Sequence, residues 1–267
     1  MHDTASSCAW RNFRRPRLGH FEHQGRINFT ELLGYGLDGI VWKINVDDCA
    51  YALKVFWDNH PPKDTRYWAV QRECQNASLL EKMRFAIENS SESIWLHPQP
   101  KTFRDALLSL HAFSDEGRSR QLYRNTPGAI QYNTAPHLRK CYGWIMISGK
   151  ELCALPSKVR TLEAQVDGVV REISPKEDYH AIAYEYVPNI RCTLSTEIMQ
   201  AQLDFFGSPG SAWYRCEWRI GKVPESWWIW RILYALGMPH GFQVFTDKDM
   251  QERWHRNHKF TIHCRLT

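Results

Sequence analysis

Residues 33–56 read LGYGLDGIVWKINVDDCAYALKVF, and the fold turns on what the three glycines near the head of that stretch do. Gly34, Gly36 and Gly39 stand at G-x-G-x-x-G spacing, with Val41 two residues on. In a dinucleotide-binding fold such glycines join a strand to a helix. Here the residues after Gly39 alternate: Ile40, Trp42, Ile44 and Val46 fall on one face and Val41 on the other, which is a strand. Asp47-Asp48 reads as a turn, and Ala50–Phe56 as a third strand with Ala50, Ala52, Lys54 and Phe56 on one face. Phe29–Leu33 reads as the strand leading in. The glycines therefore join strand to strand. Two interpretations stay open at this point. One is a hairpin that lays its backbone amides over phosphate oxygens, where any Cβ would hold them off. The other is a glycine-rich hairpin with no ligand.

Lys54 adds a positive charge beneath the hairpin, in the run Tyr51-Ala52-Leu53-Lys54. A lysine that orients phosphate needs an acidic partner. Pro61-Pro62-Lys63-Asp64-Thr65 is a breaker followed by an N-cap candidate, and residues 66–85 hold neither Pro nor Gly. Val70, Cys74, Ala77 and Leu80 or Glu81 follow a helical period, with Glu73 beside the stripe. Glu73 is the expected partner of Lys54, Glu81 is its competitor, and a solvated helix carboxylate is the bland alternative for either.

Residues 86–137 read as a long insertion broken by Ser90-Ser91, Pro98, Pro100 and Pro127-Gly128. Phe103–Leu110 is expected as a short amphipathic helix that Arg118–Tyr123 continues, either as a packing appendage or as a partner-docking segment. Cys141–Ile147 is expected as a buried strand, Lys150–Lys158 as a connection, and 162–173 as strand or hairpin. Tyr179–Val187 is a further strand, stopped by Pro188-Asn189. Residues 1–26 are polar and basic and read as a solvated or poorly packed arm. Their cluster of Arg11, Arg14, Arg15 and Arg17 is a candidate nuclear-import or acidic-partner patch.

The net charge of +5 is spread thinly, which permits an anionic ligand but disfavours nucleic acid as a partner. Eight cysteines are scattered without a C-x-x-C or zinc spacing, as expected of reduced thiols in an intracellular chain. No apolar run approaches the roughly 18 residues a bilayer span needs, and the N-terminus has no signal-peptide core. The expected placement is nuclear or cytoplasmic, with no membrane.

Leu33-Gly34-x-Gly36-x-x-Gly39-x-Val41, Tyr51-Ala52-Leu53-Lys54, Glu73 and Tyr184-Glu185-Tyr186-Val187 together resemble a protein-kinase N-lobe. More narrowly, the chain resembles a fungal kinase-like family, the inner-kinetochore Sim-complex subunits called Fta-two. The phrases that carry this are FTELLGYGLDGIVWKINVDDCAYALKVFWDN, RECQNASLLEKM, AFSDEGR, CYGWIMI, YHAIAYEYVP and QAQLDFF, over roughly residues 30–206. The resemblance implies an α+β fold: a kinase-like N-lobe of antiparallel sheet plus one helix over 27–188, then a truncated or degenerate helical C-lobe over 189–267. It implies ATP as ligand, with magnesium left open. Gly34, Gly36 and Gly39 would cover phosphates, and Leu33, Val41 and Ala52 would sandwich adenine. Lys54 and Glu73 would form the phosphate-orienting pair. Tyr184 would take the gatekeeper-type position, and the backbone of Glu185 to Val187 would face the adenine edge. It also implies protein partners and favours the nucleus.

The catalytic floor of a kinase does not follow. No His-x-Asp occurs after the hinge, and Leu203-Asp204-Phe205-Phe206-Gly207 has one Phe too many for a D-F-G and lies only nineteen residues past Glu185. Gln200–Phe206 reads instead as a helix segment with Asp204 on its surface. Asp247, Asp249 and Glu252 are the only later acidic cluster, and Asn257 is at the wrong offset to serve them. Residues 207–267 hold six of the twelve tryptophans with little period, as an irregular subdomain or an out-of-frame segment would. The expected function is a non-catalytic pseudokinase or scaffold able to bind ATP. An active atypical Ser/Thr-type kinase, a purely structural subunit, and the defective product of a decayed or misframed gene are the alternatives.

Overall fold

The computed structural model describes residues 7–61, 63, 68–100, 102–136, 138–161, 163–166, 168–188 and 205. The expected C-terminal lobe over 189–267 lies outside the described residues apart from Phe205. So do the acidic cluster Asp247, Asp249 and Glu252, the surface position of Asp204, and the N-cap candidates Asp64 and Thr65.

Around the decisive stretch the strands are β1 (Asn28–Tyr35), β2 (Gly39–Val46) and β3 (Cys49–Phe56), paired antiparallel. Asp47 and Asp48 make the β2–β3 turn with φ of 48° and 61°, the two left-handed residues that a twist-matched two-residue hairpin requires. The helix α2 runs Ala69–Glu88 with Trp68 as N-cap, and no side chain caps it. The remaining elements are α1 (Trp10–Arg14), β4 (Ile94–Leu96), α3 (Phe103–His111), α4 (Asp115–Arg120), β5 (Ile130–Tyr132), β6 (Cys141–Ser148), α5 (Gly149–Cys153), β7 (Glu163–Val166), β8 (Val169–Glu172) and β9 (Asp178–Glu185). The main sheet has the order β1-β2-β3-β9-β6, with β4–β5 and β7–β8 as separate two-stranded sheets.

Strand alternation gives this sheet two apolar faces. Ile40, Trp42, Ile44, Leu53, Val55, Ala181 and Ala183 pack on one face with Leu152 of α5 and Ala164 of β7. The indole of Trp42 is fully buried and donates to the Val159 carbonyl at 2.8 Å, so its one polar atom is satisfied. Phe56 and Ile182 on the opposite face pack against Ala69, Val70 and Ala77 of α2. The second half of α2 turns away from the sheet. Met83, Ala86 and Ile87 join Cys8, Phe13, Leu110 and Phe113 in another core, into which Phe205 also inserts.

Five expectations are corrected here. Residues 7–26 are not a solvated arm: Cys8 and Phe13 are buried, and Asp115 donates its amide to the Cys8 carbonyl at 2.9 Å. The helix at Phe103 does not run on through Arg118–Tyr123. It ends at His111, and a separate helix starts after Ser114, whose side chain accepts from Gly117. The Lys150–Lys158 connection carries α5 in its first half. β6 is half-buried rather than buried, because it is the last strand of the sheet and exposes Tyr142 and Met146. The sheet is not served by one helix alone: among the described residues α1, α3, α4 and α5 accompany α2, and of these α5 packs on the sheet's other face. The hairpin expected within 162–173 is present as β7–β8. No helix of the described residues is long and apolar enough to cross a membrane.

The N-terminal segment is tied to β6. Trp144 donates to the Gly19 carbonyl at 3.0 Å, and Phe21 donates to the Trp144 carbonyl at 2.8 Å. Gly143 lets the segment come this close, since its φ is +133° and a Cβ there would sit 2.6 Å from His20 backbone. Gly143→Ala will cost about 2 kcal/mol in urea unfolding, from a strained φ and a displaced strand contact. A change under 0.5 kcal/mol would show that the segment is not held this way.

Candidate functional site

The pairing register of β2, β3 and β9 fixes what lies beneath the glycine hairpin. Val41 pairs with Lys54, and Ala52 and Lys54 are two apart on β3, so all three side chains share the face that α2 covers. Lys54 also pairs with Ile182, and Ala52 with Tyr184. Leu33 lies in the β1 irregularity between the pairs Leu32–Trp42 and Gly34–Val41, and it is half-buried.

The Lys54 Nζ lies 2.5 Å from Glu73 Oε2, with the two side chains 12% and 14% exposed. At that burial the pair is well removed from solvent screening, unlike a surface bridge. The second Glu73 oxygen, Oε1, accepts from the Tyr184 hydroxyl at 2.8 Å. Burial and then the Glu73 charge push the Tyr184 phenol well above its usual pKa, so it stays protonated and donating. The Lys54 ammonium also rests over the Phe56 ring, 4.9 Å from its centroid. Two strands and one helix thus converge on a single cluster. Glu81 is not the partner of Lys54. It is bonded to Arg84 and accepts from the Cys141 amide at 3.0 Å, and burial raises its carboxyl pKa above the usual range.

The glycine hairpin is a tight turn. Gly36 and Gly39 exchange backbone hydrogen bonds of 2.9 and 3.3 Å, and the Trp57 indole donates to the Gly36 carbonyl at 2.8 Å. Gly39 has a packing reason to lack a side chain, because a Cβ would lie 2.1 Å from the Val55 carbonyl oxygen. Gly36 faces open space. With the Gly36 and Gly39 amides spent on the turn, a phosphate would meet the tip at Leu37-Asp38, where the Asp38 carboxylate is half-buried. On the far side, the Glu185 amide donates to the Lys140 carbonyl at 2.8 Å, and Val187 is exposed. The hollow beside Pro136 and Glu185 and the one beside Arg14 and Trp144 are lined by neither the loop glycines nor Lys54. No cluster of three or more potential metal ligands occurs among the described residues.

The sequence located Lys54 and Glu73 but not the Tyr184 hydroxyl as the second anchor of Glu73. Strand parity carries that signal: Tyr184 is two residues from Ile182, which pairs with Lys54. The sequence also missed a hollow that Arg14, Arg15 and Arg17 share with α2 and Trp144.

A family model described as "Kinetochore Sim4 complex subunit FTA2" matches residues 6–93, the span from the N-terminal segment to the residue before β4. No curated protein and no solved structure matched the chain.

Proposed function

We infer that this chain is a non-catalytic, kinase-like scaffold of the kinetochore-subunit type, working in the nucleus through protein partners. The match of residues 6–93 to a kinetochore-subunit family supports the subunit type. The single observation that carries the kinase-like reading is the Lys54–Glu73 ion pair joining the third strand to the helix that follows it. That pair is how a kinase lobe holds the lysine that meets the α- and β-phosphates.

ATP is the ligand this face would take, with adenine between Leu33 or Val41 and Ala52, and phosphates reaching toward Lys54. Its binding would be weak. The Asp38 carboxylate at the loop tip opposes phosphate, and the Gly36 and Gly39 amides are already spent. No residue is assigned as base or metal ligand, so the chain would hold a nucleotide without transferring its phosphate.

A thermal-shift titration tests this. At about 1 mM ATP and a Kd of ~0.1 mM, binding adds ~1.4 kcal/mol of stability. The expected result is a small upward shift that magnesium does not enlarge and that Lys54→Met removes. No shift up to 10 mM ATP would sink the nucleotide part and leave a pure scaffold. Autophosphorylation that Lys54→Met abolishes would replace the scaffold with an active kinase.

A further inference from the structure

We propose that the hollow between the N-terminal arginines and the start of α2 docks an acidic segment of a partner protein through one aromatic or bulky aliphatic side chain. The hollow has a volume of about 390 Å³. Its apolar part is formed by Trp68, Val70, Trp144 and His180. The His180 ring stands edge-on to Trp68 at 5.3 Å and tilted to Trp144 at 5.9 Å, giving a rigid aromatic wall. A single large side chain is the natural content of a space of this size and lining.

Charge decides which segment brings that side chain. Arg14, Arg15 and Arg17 line the hollow and are exposed, and no acidic residue among the described ones lines it. Among the described residues none of the three makes an ion pair. Three neighbouring guanidiniums repel one another, and a carboxylate-rich partner relieves that repulsion through forked hydrogen bonds. The N-terminal segment cannot swing away to meet a partner elsewhere, because Phe13 and Phe21 are buried on either side of the arginines. Nucleic acid fits less well: a strand needs a basic track along its backbone, whereas these arginines edge a single hollow. Cys74 on the same wall is not a reactive thiol, since burial pushes its pKa up to about 12. The site is one of recognition. It shares the α2-covered face of the sheet with Lys54, but neither Lys54 nor Glu73 lines it, and its test reads peptide binding without nucleotide.

The experiment selects a random dodecapeptide phage library on the full-length protein. Recovered peptides are expected to carry an excess of Asp and Glu around a Phe, Trp, Tyr or Leu. A synthetic copy of the strongest should bind the triple variant Arg14→Glu, Arg15→Glu, Arg17→Glu at least about tenfold more weakly, with wild-type affinity falling as salt rises. The triple glutamine variant gives the same reading if the charge reversal lowers the melting temperature. No enrichment, enrichment without acidic excess, or equal binding to the variants would overturn the proposal. So would displacement of the peptide by a single-stranded DNA dodecamer at lower concentration, which would mark the arginines as a nucleic-acid patch.

Discussion

Replacing Glu73 with alanine will destabilise the protein by about 3 kcal/mol, the lower end of what removing one partner of a buried ion pair costs. The substitution strands two groups. The Lys54 ammonium loses its counter-charge and keeps only the Phe56 ring, and the Tyr184 hydroxyl loses its acceptor. Lys54→Met will cost less, because the carboxylate left behind still accepts from Tyr184. The double variant Lys54→Met, Glu73→Met will be less damaging than Glu73→Ala alone, since neither charge is then left buried and the methionines refill the space. Urea unfolding of the wild type, Lys54→Met, Glu73→Met and the double variant makes a double-mutant cycle, with Glu73→Ala measured beside it. Additive costs, or a Glu73→Ala cost below 1 kcal/mol, would show that the pair is a screened surface contact with no part in holding α2 to the sheet.

Phe205→Ala will cost about 3–5 kcal/mol, the range for emptying a buried aromatic site. Phe205 is fully buried and meets Tyr132 and Phe113 edge-on, with ring centroids 5.2 and 6.2 Å away. Phe205 therefore belongs to the core formed by α1, α3, β4 and the second half of α2. The effect should appear in equilibrium unfolding and equally in a chain ending at residue 206, because the anchor lies before that point. A cost under 0.5 kcal/mol would mean that everything beyond the last strand is an appendage. A loss of stability on removing 207–267 would show that this tryptophan-rich stretch contributes to the fold, and would count against an out-of-frame origin.

The hairpins were legible because alternation is local: Ile40, Trp42, Ile44 and Val46 declare a face without knowing what covers it, and Asp47-Asp48 can only be a turn between two such runs. The Lys54–Glu73 pair was legible because order along the chain restricted which acid a helix could present. The second face of α2 was not. Met83, Ala86 and Ile87 lie off the stripe that contains Val70 and Ala77, and only the arrival of α1, α3 and Phe205 gives them a partner. Residues 7–21 misled for a related reason. Their arginines dominate the composition, while the few side chains that anchor them, Cys8, Phe13 and Phe21, show no period and depend on distant surfaces. Tyr184 was placed on the right strand, but a hydrogen bond to Glu73 across 111 positions of sequence has no local signature.

The contact of residues 19–21 with Trp144 has a consequence for self-association. β6 ends the sheet, and a terminal strand offers unpaired amides and carbonyls to any other strand that drifts alongside. The chain's own N-terminal segment takes up the Trp144 amide and carbonyl and forms a parallel bridge between His20 and Trp144. The segment thus shields the middle of an edge whose exposed Tyr142 and Met146 would otherwise invite strand addition by a second copy. A polar, basic stretch that looks dispensable in sequence is what shields the middle of one edge of this sheet.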